Sequence, residues 1–530
     1  MDYSSLGTRL RSKLTTEFFA LSSLVTLMFL TRIIAFRENS LEPDEFEYLY
    51  AARKCLETPL PFSGFQTHTT GPFAIYILAF LKLITSFSKI YQLRLLSFFV
   101  FILPSFFIVY SLTKKQAGYI GVVVFSVIVS CKNFPFFGPF YDGIFSYNTE
   151  HPLLVVTAIL SYIMLNKKTL TGVIIFSLLL FCLPLIKFQA IPLTLFFGFY
   201  FWILLLTNKQ YHLLKISLLT FFSTLILWVA FLVLNGIYDE FYLVYVAENL
   251  NYISNNAFGQ ESVNPLNFLH RINTYYKFVI LIILWGLFFS YQYVRKIGIS
   301  FSSLVNHPIG FSGSFFIVSA ITIILGKNDY GHYYVFLFLP TSLVASHIYM
   351  GLLELNYINK AFKPLFIILL LSFFNFDYLF KSINLATNIV LHKPTEHLRF
   401  GKPLQIVVDT KIVSWLKEHK EPNAALFSIG WDQSQVLYYL LQDDYKIMCR
   451  QTHFFFYKYG FEMNDKTMFD GEEKMLMEDL NKFPPLFIVD TWNIIKPSRK
   501  TLLQKYVDKN YTLVLNDPNY KIFKKIAKNR

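Results

Sequence analysis

The stretch EFFALSSLVTLMFLTRIIAF, Glu17 to Phe36, is the first of many long apolar runs in this chain, and LEPDEFEYLYAAR, Leu41 to Arg53, follows after a few residues. A helix needs about 20 mostly apolar residues to cross the hydrocarbon of a bilayer. The run is too long for the apolar region of a signal peptide and lacks a clear small-residue cleavage site. We therefore expect it to be retained as the first membrane span.

Composition places the rest of the chain in the same class. Of 530 residues, 54% are hydrophobic and only 15% are charged, and the mean hydropathy is +0.44, whereas soluble domains carry about 25% charged residues. The net charge of +14 comes from short Lys/Arg clusters between apolar runs, a pattern typical of cytoplasmic loops. We expect a polytopic α-helical protein of the cell (inner) membrane that contacts lipids and binds no nucleic acid.

Apolar length predicts the membrane segments Glu17 to Phe36, Pro72 to Ser88, Leu95 to Thr113, Gly118 to Cys131, Pro152 to Leu165, Leu170 to Ile186, Ala190 to Thr207, Ile216 to Gly236, Tyr275 to Val294, Ile309 to Leu325, Tyr334 to Leu352 and Pro364 to Lys381. The basic clusters put Asp44 and Asp142 on the same outer side, although three runs separate them. We therefore interpret Pro72 to Ser88 as re-entrant or interfacial, which gives about eleven crossings. The alternative is that one of the next two runs does not cross.

The pattern changes after Lys381, where short apolar stretches alternate with amphipathic ones. This predicts strands at Ile406, Ala425, Leu486 and Thr512, and helices at Ile412 to His419, Gln433 to Leu441, Glu472 to Phe483 and Arg499 to Lys509. We expect a transmembrane domain over residues 1–384 and an extracytoplasmic α/β domain over residues 385–530. No glycine-rich phosphate fingerprint follows the strands, so a nucleotide site is not expected.

The Asp44–Glu45 pair is the first candidate for chemistry, because carboxylates close to hydrocarbon are costly and tend to mark function. Pro43 allows a helix to begin there, and Asp44 and Tyr48 would then share one face. A carboxylate at a helix N-terminus is stabilised in its ionised form, which a general base requires. The alternative is an N-cap on an interfacial helix.

Other candidates for substrate binding lie on the same outer side. His68 stands in a polar turn, while Asp142, Glu150 and a neighbouring histidine stand in GPFYDGIFSYNTEH. A solvated loop histidine and a helix cap before Pro152 are the structural alternatives. Asp142, between aromatics and glycine, is less easily explained as a cap.

Basic residues on this side could hold an anion. Lys187 ends an apolar segment at the outer tip of a hairpin, against the positive-inside trend, so a lipid phosphate would explain it better than snorkelling. His332 and Tyr333, in GKNDYGHYYVFLFLP, could bind phosphate or sugar hydroxyls. An aromatic belt at a helix end is the alternative.

These stretches together resemble the polyprenyl-phosphate-sugar-dependent glycosyltransferases of the C-type fold, a superfamily that includes protein O-mannosyltransferases and lipid A aminoarabinose transferases. The matching stretches, in chain order, are PDEFEYL, THTTGP, TEHPLL, LIKFQAIPL and GHYYVFLFLP. The likeness covers nearly the whole chain, including the C-terminal α/β domain.

The resemblance implies transfer of a sugar from a polyprenyl-phosphate donor to a hydroxyl of a lipid, glycan or protein acceptor, with inversion at the anomeric carbon. Asp44 matches the family's first-loop acid, the general base. Thr69 to Pro72 replaces the commoner His/Lys-Pro-Pro turn, so Lys187, His332 and Arg271 become the candidates for the donor phosphate. No cofactor is certain, and the acidic residues leave a divalent metal open.

Two other classes compete with this interpretation. A transporter or flippase of lipid-linked sugars also has many spans, but transporters usually place polar residues at the midplane of broken helices, whereas these candidates collect at one surface. An assembly protein that uses its α/β domain as a binding module would tolerate changes in all of these loops.

Overall fold

A computed structural model describes residues 3–36, 43–65, 70–114, 117–130, 147–166, 168–250, 265–266, 268–270, 305–326, 331–354, 363–372, 376–392, 410–430, 437–438, 440–441, 444–447, 466–491, 493–495 and 501–527. The N-terminal part of the chain is helical. Its helices are α1 Tyr3–Arg32, α2 Pro43–Glu57, α3 Pro72–Thr85, α4 Ile90–Ser97, α5 Leu103–Thr113, α6 Ile120–Val129, α7 Glu150–Asn166, α8 Leu170–Ile186, α9 Ile191–Thr207, α10 Tyr211–Leu234, α11 Tyr238–Glu240, α12 Pro308–Leu325, α13 Phe338–Glu354, α14 Lys363–Leu371 and α15 Phe376–Val390.

Several of these helices suit a membrane. Within the described residues, the segments long and apolar enough to cross are Ile90–Thr113, Phe188–Thr207, Tyr211–Leu234, Pro308–Leu325 and His332–Glu354, while α3, α6, α7 and α8 are apolar but shorter. The first of these joins α4 and α5 through a π-helical turn, Phe98–Ile102. The polytopic helical class predicted from the sequence is confirmed. The run Tyr275 to Val294 lies outside the described residues, and the number of crossings stays a prediction.

Burial along the helices separates the centre of the bundle from its edge. In the segment His332–Glu354, 89% of the apolar window is buried, against 11% in Tyr211–Leu234. A helix that is apolar all round is either buried or exposed to lipid. We conclude that α13 lies at the centre of the bundle and that α10 presents most of its surface to lipid.

The surroundings of α3 bear on the expected re-entrant run. Just before α3, the backbone N–H of Gly71 donates to the carbonyl of Ile186 at the end of α8. Soon after α3, Arg94 pairs with Glu45 at the start of α2. These contacts lie at one end of the bundle, which we call the site end. The chain therefore enters and leaves α3 at the same end, and this arrangement supports the interfacial interpretation.

The C-terminal part is a small α/β domain, as predicted. Its helices and strands are α16 Thr410–Glu418, β1 Ala425–Ile429, β2 Lys446–Ile447, α17 Lys466–Lys482, β3 Phe487–Asp490, α18 Leu502–Asn510, β4 Tyr511–Asn516 and β5 Lys521–Lys525. The sheet order is β2-β1-β3-β5-β4. The first three strands are parallel, and β5 runs antiparallel to both of its neighbours.

Three of the predicted strands are confirmed, as β1, β3 and β4. The stretch predicted at Ile406 lies outside the described residues. Strands β2 and β5 were not predicted from the sequence. The expected domain boundary between residues 384 and 385 falls inside α15, where Ser382 donates a long hydrogen bond of 3.4 Å to the carbonyl of Thr31 in α1.

An apolar cluster connects the α/β domain to the site end of the bundle. Side chains from α2 and α3 pack in one core with side chains of α16 and of the sheet. Within it, the rings of Tyr50 and Tyr438 stack with centroids 5.8 Å apart, and the Tyr438 hydroxyl donates to the carbonyl of Ser428 in β1. The helix that carries Asp44 in its first turn is thus also packed against the α/β domain.

Candidate active site

Asp44 stands where the sequence predicts, in the first turn of a helix that begins at Pro43. Its side chain is partly buried. The positive end of the helix dipole stabilises a carboxylate at such a position by about 0.3–1 kcal/mol. The Asp44 carboxylate is therefore partly accessible, and the helix dipole stabilises its ionised form. A general base needs both properties.

Tyr48, one turn after Asp44, connects this carboxylate to the rest of the site. The hydroxyl of Tyr48 hydrogen-bonds the Thr70 side chain, and its ring packs edge-on against Tyr147 with centroids 5.6 Å apart. Burial, followed by the negative charges of Asp44 and Glu150, raises the pKa of Tyr48 well above its ordinary value. The phenol is therefore neutral at physiological pH and keeps its proton for donation.

Lys187 is brought to the same place by the backbone. Pro184 interrupts the last turn of α8, and Lys187 follows in an extended conformation, with φ −154° and ψ 130°. In this conformation Lys187 forms an isolated antiparallel bridge with Thr70. The turn before α3 and the end of α8 are thereby fixed side by side.

Gly71 makes this close approach feasible. A Cβ atom at Gly71 would lie 1.9 Å from the carbonyl oxygen of Leu185, a backbone atom that cannot rotate away. We predict that Gly71→Ala separates the two segments and lowers both the thermal unfolding midpoint and the activity of the purified protein.

Gly313 in α12 provides the matched control, because a Cβ there meets nothing within 4 Å. Gly313→Ala should keep activity and raise helix stability slightly. Equal, small effects of the two substitutions would contradict the close approach at Gly71.

The Lys187 ammonium lies among buried groups of α7 and of the turn before α13. It pairs with the Glu150 carboxylate in the first turn of α7 and lies over the Tyr333 ring, 4.9 Å from its centroid. The distance from His332 Nε2 to Glu150 Oε1 is 3.9 Å, and the His332 and Tyr333 rings are in edge contact. The structure thus brings together four of the residues predicted for substrate binding.

Glu45 has an environment different from that expected of a catalytic group. It is fully buried, and the Nε of Arg94 donates to its two carboxylate oxygens over 2.9 and 3.0 Å. The backbone N–H of Tyr147 donates to it over 2.6 Å, while Arg94 also donates to the carbonyl of Ala35 over 2.7 Å. This geometry argues against the expected catalytic role of Glu45 and favours a structural one, since the pair joins α2 and α4 to the turn after α1 and to the chain before α7.

Other predicted residues, His68, Asp142 and Arg271, lie outside the described residues and stay predictions. Within the described part of the chain, no group of three or more His, Cys, Asp or Glu side chains could hold a metal ion. That search does not reach His68 or Asp142, so the divalent metal left open by the sequence also stays a prediction.

Sequence reasoning missed Thr70 and Arg94 as members of this region. Arg94 had a readable signal, since it is a lone guanidinium at the start of a membrane-length apolar run, where a charge must find a partner. For Thr70 the resemblance marked only the turn Thr69 to Pro72, because the role of Thr70 depends on a backbone bridge to a residue distant in sequence.

Together, these features define a polytopic membrane protein with a cluster of acidic, basic and phenolic groups at one end of its helical bundle. No family model matches the chain, and no curated protein matches its sequence. Its structure is similar to the crystal structure of ArnT from Cupriavidus metallidurans bound to undecaprenyl phosphate, with a TM-score of 0.54 and 12% identity over 96% of this chain and 98% of that one.

The same ArnT in its apo state matches with a TM-score of 0.52 and 12% identity, over 97% of this chain and 99% of that chain. A weaker similarity, with a TM-score of 0.46 and 11% identity, relates 90% of this chain to 70% of the archaeal oligosaccharyltransferase AglB from Archaeoglobus fulgidus. The chain has the fold of ArnT, and the fold expected from the sequence resemblance is confirmed.

Proposed function

We propose that this chain is a membrane glycosyltransferase that moves a sugar from a polyprenyl-phosphate donor to a hydroxyl of a lipid, glycan or protein acceptor. The observation that carries the proposal is the contiguous cluster at the site end, which runs from Asp44 through Tyr48 and Thr70 to Lys187 and Glu150. The undecaprenyl phosphate bound to ArnT, whose fold this chain shares, supports the donor class.

In the proposed reaction, Asp44 accepts the proton of the acceptor hydroxyl while the hydroxyl oxygen bonds to the anomeric carbon of the sugar. The bond from that carbon to the phosphate oxygen breaks, and its electron pair leaves with the polyprenyl phosphate. A single displacement inverts the anomeric carbon. The phosphate is a good leaving group, so a second carboxylic acid is not required to protonate it, unlike in inverting glycosidases.

Lys187 is the cation placed to stabilise the leaving phosphate. Its charge is held by Glu150 and by the face of the Tyr333 ring, so the ammonium is fixed in direction before the donor binds. A preorganised cation acts on charge that grows in the transition state. His332, next to the same carboxylate, adds a second nitrogen that can donate to the phosphate.

The proposal is tested with the purified full chain in liposomes and a panel of undecaprenyl-phosphate hexoses and pentoses, added with a membrane extract as acceptor source. Mass spectrometry should show loss of the sugar from the donor, release of undecaprenyl phosphate and a glycosylated product of inverted anomeric configuration. Donor that crosses the bilayer without cleavage would contradict the proposal and support a flippase.

We further predict that the double variant Lys187→Met/Glu150→Gln folds normally but binds the donor weakly. Either single variant leaves a buried charge without its partner, which is costly, whereas the double variant removes both charges. Loss of a charge-assisted bond to the phosphate should raise the donor KM roughly tenfold or more.

The acceptor KM is the internal control for this variant, because the acceptor hydroxyl is assigned to Asp44. It should stay within a factor of about two of the wild-type value. If the double variant had the same unfolding midpoint and the same donor KM as the wild type, Lys187 would not be part of the donor site.

A further inference from the structure

A polar cavity lies at the end of the bundle opposite to the site end. It has a volume of about 130 Å³, and Asn166 and Lys168 line it. Helix α7 connects the two places, since it begins at Glu150 in the site end and ends at Asn166, about 24 Å away along its axis. The cavity is therefore separate from the candidate active site.

Basic groups give this cavity its electrostatic character. Among the described residues that line it, Lys168 carries a positive charge, His307 and His347 contribute imidazole nitrogens, and none is acidic. Glu354 acts electrostatically on His307 but is not among those lining residues. At this described lining an anion would meet the Lys168 ammonium and hydrogen-bonding groups without an opposing carboxylate.

His347 and the start of α12 contribute polar groups to the cavity wall. The Nδ1 of His347 lies 2.9 Å from the Ser312 hydroxyl, so Nε2 is the ring nitrogen left for a ligand, although the residue is only 6% exposed. His307 caps α12, its Nδ1 accepting from the backbone N–H of Ile309. The positive end of an 18-residue helix therefore lies at the cavity wall.

The chain just before α12, on the same wall, is also held in place by hydrogen bonds. The Asn208 amide donates to Asn306 Oδ1 over 2.8 Å, and the Tyr200 hydroxyl donates to the carbonyl of Val305 over 2.9 Å. A single water molecule needs about 10–15 Å³ of cavity volume. The cavity, with about 130 Å³, therefore has room for a tetrahedral oxyanion and part of its substituent.

We propose that this cavity binds a phosphate group, and that the group belongs to the headgroup of an anionic phospholipid. Lys167 and Lys168 form one of the short basic clusters between apolar runs, a pattern that predicts a cytoplasmic loop. Basic pockets between membrane helices on that side suit anionic headgroups. Free phosphate offers the same chemistry, so the experiment must separate the two sources.

Lys168→Gln is the deciding variant, because Lys168 is partly exposed and its loss should not disturb folding. Lys215→Gln is the matched control: Lys215 is an exposed lysine near the start of α10 that does not line the cavity. His347→Leu adds a second, buried change. The full-length proteins are placed in nanodiscs of phosphatidylcholine with or without phosphatidylglycerol, and native mass spectrometry counts the retained lipids after extraction.

The wild type and Lys215→Gln should retain phosphatidylglycerol, and Lys168→Gln should retain roughly fivefold less, the contribution of one lysine near an anionic surface. Millimolar inorganic phosphate could instead raise the unfolding midpoint of the wild type but not of Lys168→Gln, while none of the proteins retains phosphatidylglycerol. That result would assign the site to free phosphate and overturn the headgroup assignment. Equal lipid retention in all variants, with no effect of phosphate, would overturn the site altogether.

Discussion

Replacing Asp44 with asparagine should lower the rate of glycosyl transfer by roughly a hundredfold to ten-thousandfold, the usual contribution of a general base. Asparagine keeps the shape of the side chain in the first turn of α2, so the fold should persist. The expected loss falls on kcat, because the proton is transferred only in the reaction. The measurement is initial-rate kinetics in liposomes, together with the unfolding midpoint of the purified variant.

Glu47→Gln is the control for Asp44→Asn. Glu47 lies in the same helix, is also partly buried, and also acts electrostatically on Tyr48, so its replacement removes a comparable charge from the same region. We expect a change in kcat of less than about threefold, typical of a charge that does not take part in the reaction. If Asp44→Asn were as active as Glu47→Gln, the base would have to be another group.

Much of this arrangement could be predicted from local sequence. Pro43 followed by two acids predicts a helix start, and α2 begins there. The period of the helix then places Tyr48 beside Asp44. The helix-start prediction succeeded because its signal lies within one or two turns of Asp44. Lys187 was predicted to bind a phosphate because a lone lysine in apolar sequence needs an anion; the structure pairs it with Glu150, and the phosphate role stays a prediction.

Pairings between distant segments could not be predicted. The bridge between Thr70 and Lys187 depends on how α3 and α8 pack, and no spacing in a single sequence encodes it. Glu45 was assigned to catalysis because it adjoins Asp44, but successive helical residues point in different directions. One carboxylate therefore reaches the site, while its neighbour meets Arg94.

The two strands missed in the α/β domain have equally physical reasons. Strand β2 spans only Lys446–Ile447, too short to show an alternating pattern. Strand β5, Lys521–Lys525, carries lysines on a short stretch and is stabilised by its two antiparallel neighbours more than by its own composition.

Removing one partner of the Glu45–Arg94 pair should be the most destabilising single change in this region. Both side chains are fully buried, so Glu45→Gln leaves a guanidinium without its counterion, at a cost of about 3–5 kcal/mol. Arg94→Gln should cost a similar amount. The expected result is a much lower thermal unfolding midpoint in detergent and a reduced yield of monodisperse protein for either single variant.

The double variant Glu45→Gln/Arg94→Gln separates a structural role from a catalytic one. It leaves no unpaired charge. The amide that replaces Glu45 can still accept from the backbone of Tyr147, and the shorter amide that replaces Arg94 can donate to it, so most of the lost stability should return. Because Asp44 is unchanged, glycosyl transfer should return with the fold. A double variant that folds as stably as the wild type but stays inactive would return Glu45 to the catalytic machinery, since only the carboxylate itself would then be missing.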